Sequence, residues 1–289
     1  KLHICGSRNS YSKTDHDATF MRMKEDSMRN GQLKPGYNLQ FGINSGYVAW
    51  LTLSPSPTDN RTLPHFLDSL QKTLKFHFDT VVADAGYESE QNYSYLKEHG
   101  IRSMIKPSNY EISKTRKYRE DISRRENMDY NYDGDYYTCR KGCRLYPVTV
   151  WRRKHADGYV QKTTVYECHE CCRCPFKPQC IRGRNWKTPE EDRFKKLNVS
   201  RKFERLRKES LLNITSEEGT MLRMNRTIQS EGTFAVLKED RNFRRFLTRG
   251  KENVYAECVL IAISQNIDHL HRRIQNGRLG EHLYPLKTA

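Results

Sequence analysis

The chain has 289 residues, 36% of them hydrophobic, which is enough for a sizeable core in one large domain or two smaller ones. Lys and Arg total 51 against 35 Asp and Glu, a net charge of +16 that favours a polyanionic partner, with nucleic acid the leading candidate. No apolar run approaches the length of a membrane-spanning helix, and the opening Lys1-Leu2-His3-Ile4-Cys5 carries neither an initiator Met nor a signal-peptide pattern.

The first elements are well punctuated. Tyr37 to Leu53 reads as strand, Ser-Gly turn, strand. A Pro/Ser/Asp/Asn loop from Ser54 to Thr62 follows, then Leu63, Phe66, Leu67, Leu70 and Leu74 at helical spacing, predicting a helix that crosses back over the hairpin. Thr80-Val81-Val82-Ala83 predicts a short buried strand that delivers Asp84 to its carboxyl end. Glu88 to Glu98 reads as a helix with an acidic start, and Ile101 to Ile105 as a further strand ended by Pro107.

After Pro107 the text turns Tyr-, Arg- and Cys-rich with little periodicity, to about Thr215. Phe203 to Leu212 has helical spacing, and from Ser216 the chain reads as helix again, in two pieces broken near Arg249-Gly250. Val254, Cys258, Ile261, Ile267, Leu270 and Ile274 form one stripe on the last helix and are expected to pack. The order is α/β, with a mixed sheet and flanking helices. It divides into a first part at 1–108, a basic cysteine-rich insertion at 109–215, a helical completion at 216–276 and a tail at 277–289. The pattern fits an RNase H-like fold whose opening strand is missing.

Two carboxylates suit two-ion phosphoryl transfer, which needs acids from separate elements to hold two divalent ions. Asp84 at a strand end is one, although a strand-end Asp capping its own turn is an equal reading. Glu231 is the other. It shares a helix face with Ile228, Ala235 and Lys238, so that Lys238 can contact a phosphate beside the ions, while a solvated surface Glu is the plainer account. Arg241, Arg244, Arg245 and Arg249 surround Phe243 and Phe246 in a basic, aromatic stretch suited to a DNA backbone or to a solvated helix face.

In the insertion, Cys139-x3-Cys143 precedes Cys168-x2-Cys171-Cys172-x-Cys174-x5-Cys180. Thiolates of Cys168, Cys171, Cys174 and Cys180 can enclose a structural Zn2+, and reduced thiols in a loop-rich lobe are the equally weighted alternative. Cys5, Cys172 and Cys258 read as bystanders. Lys114, Arg116, Lys117, Arg119, Arg124 and Arg125, then Arg152, Arg153 and Lys154 beside Trp151, make the insertion a DNA-facing lobe. His16, between Asp15 and Asp17, reads as part of a polar loop capping a helix that would begin at Ala18.

Val81-Val82-Ala83-Asp84-Ala85-Gly86-Tyr87 resembles the second-Asp motif of bacterial insertion-sequence transposases of the DDE type. Glu231-Gly-Thr-Phe234 with Lys238, followed by Asn242-Phe-Arg-Arg-Phe-Leu-Thr-Arg-Gly250, is similar to the Glu motif and basic helix of that group. Tyr11-Ser-Lys-Thr-Asp15-His-Asp17-Ala18 and Leu33-Lys-Pro-Gly-Tyr37-Asn38 extend the likeness over essentially the whole chain. The chain departs from the pattern at Met224 and Thr227, which stand where the family's Tyr and Arg are expected, with Arg226 one place off. The family's first Asp would precede Lys1.

The resemblance implies a transposase catalytic region that uses Mg2+ or Mn2+ at Asp84 and Glu231. It would act on double-stranded DNA at element ends and target, in the cytoplasm at the nucleoid, with self-association left open and this fragment inactive by itself. A catalytically dead DNA-binding remnant and a zinc-stabilised nucleic-acid-binding module are the alternatives.

Overall fold

A computed structural model describes residues 5, 8–23, 31–155, 157–182, 187–243 and 245–281. Two compact units divide the chain, one of residues 1–105 with 210–289, the other of residues 106–209. Among the described residues no helix is long and apolar enough to cross a membrane.

The first unit opens with two short strands, β1 (Thr19–Arg22) and β2 (Leu33–Gly36), paired antiparallel. The segment after Ala18 is therefore strand rather than helix. Its alternating buried and exposed residues are period-two patterning too short to read from sequence. Strands β3 (Asn38–Asn44) and β4 (Tyr47–Ser54) form the expected hairpin. Ser45 and Gly46 both take positive φ, 53° and 85°, the conformation a two-residue hairpin turn requires. Helix α1 (Leu63–Leu74) buries Leu63, Phe66, Leu67 and Leu70, and Trp50 Nε1 of β4 donates to Ser69 Oγ at 2.8 Å.

Strands β5 (Thr80–Ala83) and β6 (Arg102–Ile105) run parallel, joined by helix α2 (Glu90–Glu98), whose N-cap Ser89 accepts from Asn92 N–H. β5 is half-buried throughout rather than fully buried. The two ladders β3–β4 and β5–β6 are separate, so each of these strands has one unpaired edge among the described residues.

The second unit holds a five-stranded antiparallel meander in sequence order, β7 (Asp129–Asn131), β8 (Tyr136–Thr138), β9 (Arg144–Lys154), β10 (Val160–Cys168) and β11 (Lys195–Val199). Its core is small, built on Tyr137, Leu145, Tyr166, Cys168, Leu197 and Val199. Arg201 stacks 3.9 Å from the Tyr130 ring centroid and donates to Asp135 Oδ1 at 2.9 Å. Tyr130 and Tyr166 hydroxyls donate to the same oxygen, each at 2.6 Å.

Helix α3 (Arg201–Thr215) leads back into the first unit, followed by α4 (Glu217–Ala235), a π-helical turn at Val236–Asp240, and α5 (Lys251–Gln275). The helical run ends at Asp240, well before the break expected near Arg249-Gly250, and α5 starts directly after Gly250, φ 82°. α5 packs Val254, Cys258 and Ala262 on Val48, Leu51 and Leu53 of β4, and the Asn266 side chain bonds both the N–H and the carbonyl of Val48. Its expected packing stripe is only half realised. Val254 and Cys258 are buried, whereas Ile267, Leu270 and Ile274 are exposed. Asp15 and Asp17 do cap a helix, but it is α5: Gly250 N–H donates to Asp15 Oδ2 at 3.1 Å and Lys251 N–H to Asp17 Oδ2 at 2.9 Å.

Candidate functional site

Asp84 leaves the carboxyl end of β5 in extended backbone and caps the short turn Ala85–Tyr87, its Oδ1 accepting from Gly86 N–H at 2.9 Å. The capping role and the strand-end placement coexist. Oδ2 lies 3.3 Å from Arg226 Nη2 on α4. A second carboxylate, Asp59, closes on the same glycine: a Cβ on Gly86 would meet Asp84 Oδ1 at 3.0 Å and Asp59 Oδ2 at 3.1 Å. Asp59 accepts from Asn38 Nδ2 at 2.6 Å, which ties it to β3. The buried Tyr87 hydroxyl is pushed well above its ordinary range, first by burial and then by the charges of Asp59 and Asp84. Sequence reading passed over Asp59 because it sits in a Pro/Ser-rich loop, and its partnership with Asp84 arises only when the loop folds over the β5 end.

Helix α4 packs on both β3 and β5. Its inward face carries Arg226, Gln229 and Thr233, and Gln229 accepts from Gly46 N–H at 3.2 Å. Phe234 stacks on Phe41 of β3, ring centroids 5.2 Å apart. Glu231 lies five residues beyond Arg226, about 140° around the helix, and is exposed together with Ile228 and Ala235. The residue of α4 that meets Asp84 is thus Arg226. Lys238 falls in the π-helical turn and is half-buried.

The basic stretch that follows is irregular rather than helical. Arg241 is committed to α5, where its guanidinium bonds Ser264 Oγ and lies 3.1 Å from Asp268 Oδ2. Arg245 and Arg249 are exposed, and Arg244 lies outside the described residues.

Six cysteines of the second unit, Cys139, Cys143, Cys168, Cys171, Cys174 and Cys180, line one cavity of about 20 Å³. Two tight turns carry four of them. Cys139 N–H donates to the Cys143 carbonyl and Gly142 N–H to the Cys139 carbonyl, with Gly142 at φ 89°. Cys174 N–H donates to the Cys171 carbonyl, and Lys195 N–H to Cys171 Sγ at 3.4 Å. All are free thiols. Burial pushes the Cys168 thiol up to about 12, and burial with neighbouring thiols also raises Cys143 and Cys180. Cys172 is exposed and Cys258 belongs to the α5 core. Among the described residues no three His, Cys, Asp or Glu side chains converge closely enough to hold a metal ion. The carboxylates offer the hard oxygens a divalent cation prefers, but they form an incomplete set.

Residues 138–271 match the family model of the transposase DDE domain. Over that segment the chain agrees with the C-terminal portion of an insertion-sequence DDE transposase, the group its motifs resemble. The matched segment contains Glu231, Lys238 and the cysteines, whereas Asp84 lies N-terminal to it. Neither the curated proteins nor the solved structures yield a match to the chain.

Proposed function

We propose that the chain is the C-terminal part of a DDE transposase catalytic region that cuts insertion-sequence DNA and joins the freed end to a target. The observation that carries the reading is the packing of α4, the helix of Glu231, against β5, with Arg226 reaching Asp84 at the strand end. In the first step a water oxygen attacks a phosphodiester phosphorus and the bond to the 3′-oxygen breaks, leaving a 3′-hydroxyl. In the second, that oxygen attacks a target phosphodiester, one P–O bond forming as another breaks, so no outside energy source is needed. Mg2+ or Mn2+ held by Asp84 and Glu231 would lower the cost of charge on the attacking and leaving oxygens.

Glu231 must turn towards Asp84 for this role. The π-helical turn after α4 supplies a means, because moving its extra residue to a position before Glu231 rotates that side chain by about 100°. The family's first carboxylate belongs to a strand ahead of Asp15, and the unpaired edges of β3 and β5 are where such a strand would complete an RNase H-like sheet. Exposed Arg245 and Arg249 position phosphates, with Lys238, while Arg241 braces the segment on α5. Cys168, Cys171, Cys174 and Cys180 would hold a structural Zn2+, which would stabilise the small second unit.

The test is cleavage of element-end DNA by the protein carrying its preceding strand. Asp84→Asn and Glu231→Gln should each abolish Mg2+-dependent cleavage and leave DNA binding largely intact. Full cleavage by the Glu231→Gln variant overturns the assignment of that residue.

A further inference from the structure

Beyond β8 and β11 the hairpin β9–β10 runs on as a two-stranded ribbon. Among the described residues, β8 pairs with Arg144 and Leu145 of β9, and β11 with Thr164 to Cys168 of β10. From Trp151 to Lys154, opposite Val160 to Thr163, both edges are unpaired among the described residues. Every residue of β9 except Leu145 is exposed, including Val148, Val150 and Trp151 at 54%, 47% and 59%.

The ribbon is built against its own stability. Arg152 stands directly opposite Lys162, a like-charge cross-strand pair, and Lys154 shares their face. No Asp or Glu occurs from Arg144 to Lys154 or from Val160 to Tyr166, and none of these cations forms an ion pair among the described residues. The opposite face presents Trp151 and Arg153 against Thr163 and Gln161. Lysines on a strand edge can simply discourage aggregation, but that purpose is not served by exposing Trp151 and three valines beside them. A like-charge pair flanked by apolar and aromatic surface calls for an anionic partner that also offers something to stack on.

We propose that the β9–β10 ribbon is a DNA-binding arm that enters the major groove, with Arg152, Lys154 and Lys162 on the phosphates and Trp151 against the groove wall. The dimensions agree, since seven residues from Val148 to Lys154 span about 23 Å and the major groove, about 12 Å wide, admits a two-stranded ribbon. The assignment rests on the transposase reading and names the element that would grip the duplex.

The test uses the full chain and a 30-base-pair duplex of mixed sequence, with affinity followed as salt is raised. The triple variant Arg152→Ala, Lys154→Ala, Lys162→Ala should bind at least tenfold more weakly at physiological salt. Its salt slope should be shallower by about 2.7, for three lost phosphate contacts. Lys162→Glu separates folding from binding, because it pairs with Arg152 and should raise Tm while weakening the complex. Methylation protection should cover guanine N7 in the major groove. Unchanged affinity and slope in the triple variant, or protection confined to adenine N3 in the minor groove, overturns the arm while the transposase reading stands. Failure of the unaltered chain to bind duplex at low salt removes both.

Discussion

Arg226 Nη2 and Asp84 Oδ2 lie 3.3 Å apart although 142 residues separate them in the chain. The guanidinium holds the place at the β5 end where a divalent cation would meet the carboxylate. Both side chains are partly exposed, 28% and 38%, so the pair is worth at most about 1 kcal/mol. Arg226→Gln should therefore leave Tm nearly unchanged while tightening Mn2+ binding at Asp84, read by the loss of the free-ion electron paramagnetic resonance signal. Weaker Mn2+ binding in the variant would show that the arginine supports the site instead of competing for it.

The thiol cavity predicts about one zinc per chain in protein purified without chelator. Because burial holds Cys168 protonated at neutral pH, zinc entry must expel protons. Affinity should then rise with pH, and adding zinc to metal-free protein in weak buffer should acidify it. Cys171→Ser should lose the metal, whereas Cys172→Ser should keep it. Well-folded protein without zinc sinks the site.

Asp15 and Asp17 cap α5 from a distant loop, and Asp15 also accepts the Tyr37 hydroxyl at 2.8 Å. Removing the cap in Asp17→Ala should cost about 1 kcal/mol. Burial raises the Asp15 carboxyl, but the bonds from Tyr37 and the backbone outweigh it and hold it below its ordinary value. A depressed carboxyl contributes stability above its unfolded pKa, near 3.9. That contribution is lost as pH falls through the folded value. Asp15→Ala should thus be less stable than the parent at pH 6, with the gap closing towards pH 2 in chemical denaturation.

Asp135 gathers three donors in the second unit. Burial opposes its charge, yet the Tyr130 and Tyr166 hydroxyls and Arg201 hold its carboxyl below the usual range. Its φ of 47° suits Asn as well as Asp. Asp135→Asn should accordingly fold and lose about 1 kcal/mol, since Asp135 and Arg201 are themselves half-exposed. A much greater loss in Asp135→Ala than in Asp135→Asn would point to backbone strain at the positive φ as well.

Elements whose patterning is set by one buried face were legible from the residues alone. The β3–β4 hairpin and α1 belong to this kind, whereas the strand delivering Asp84 was legible from its β-branched residues. The meander of the second unit was not, because β9 is exposed on both faces and shows no alternation to read. Residues 241–249 have helical composition, but Arg241 is drawn across to Asp268 and the backbone follows an irregular path. At the candidate site Asp84 was visible as a strand-end acid. Asp59 and Arg226 were not, since their approach to Asp84 depends on a loop and a helix far away in sequence.

The unpaired edges of β3 and β5 have a practical corollary. A ladder edge binds any strand of suitable register, whether or not a peptide bond connects it to the rest of the unit. The first unit is therefore suited to split-protein complementation, in which a short synthetic strand added to the purified chain docks into the sheet. Without such an occupant the same edges invite a second copy, so the chain should be handled dilute.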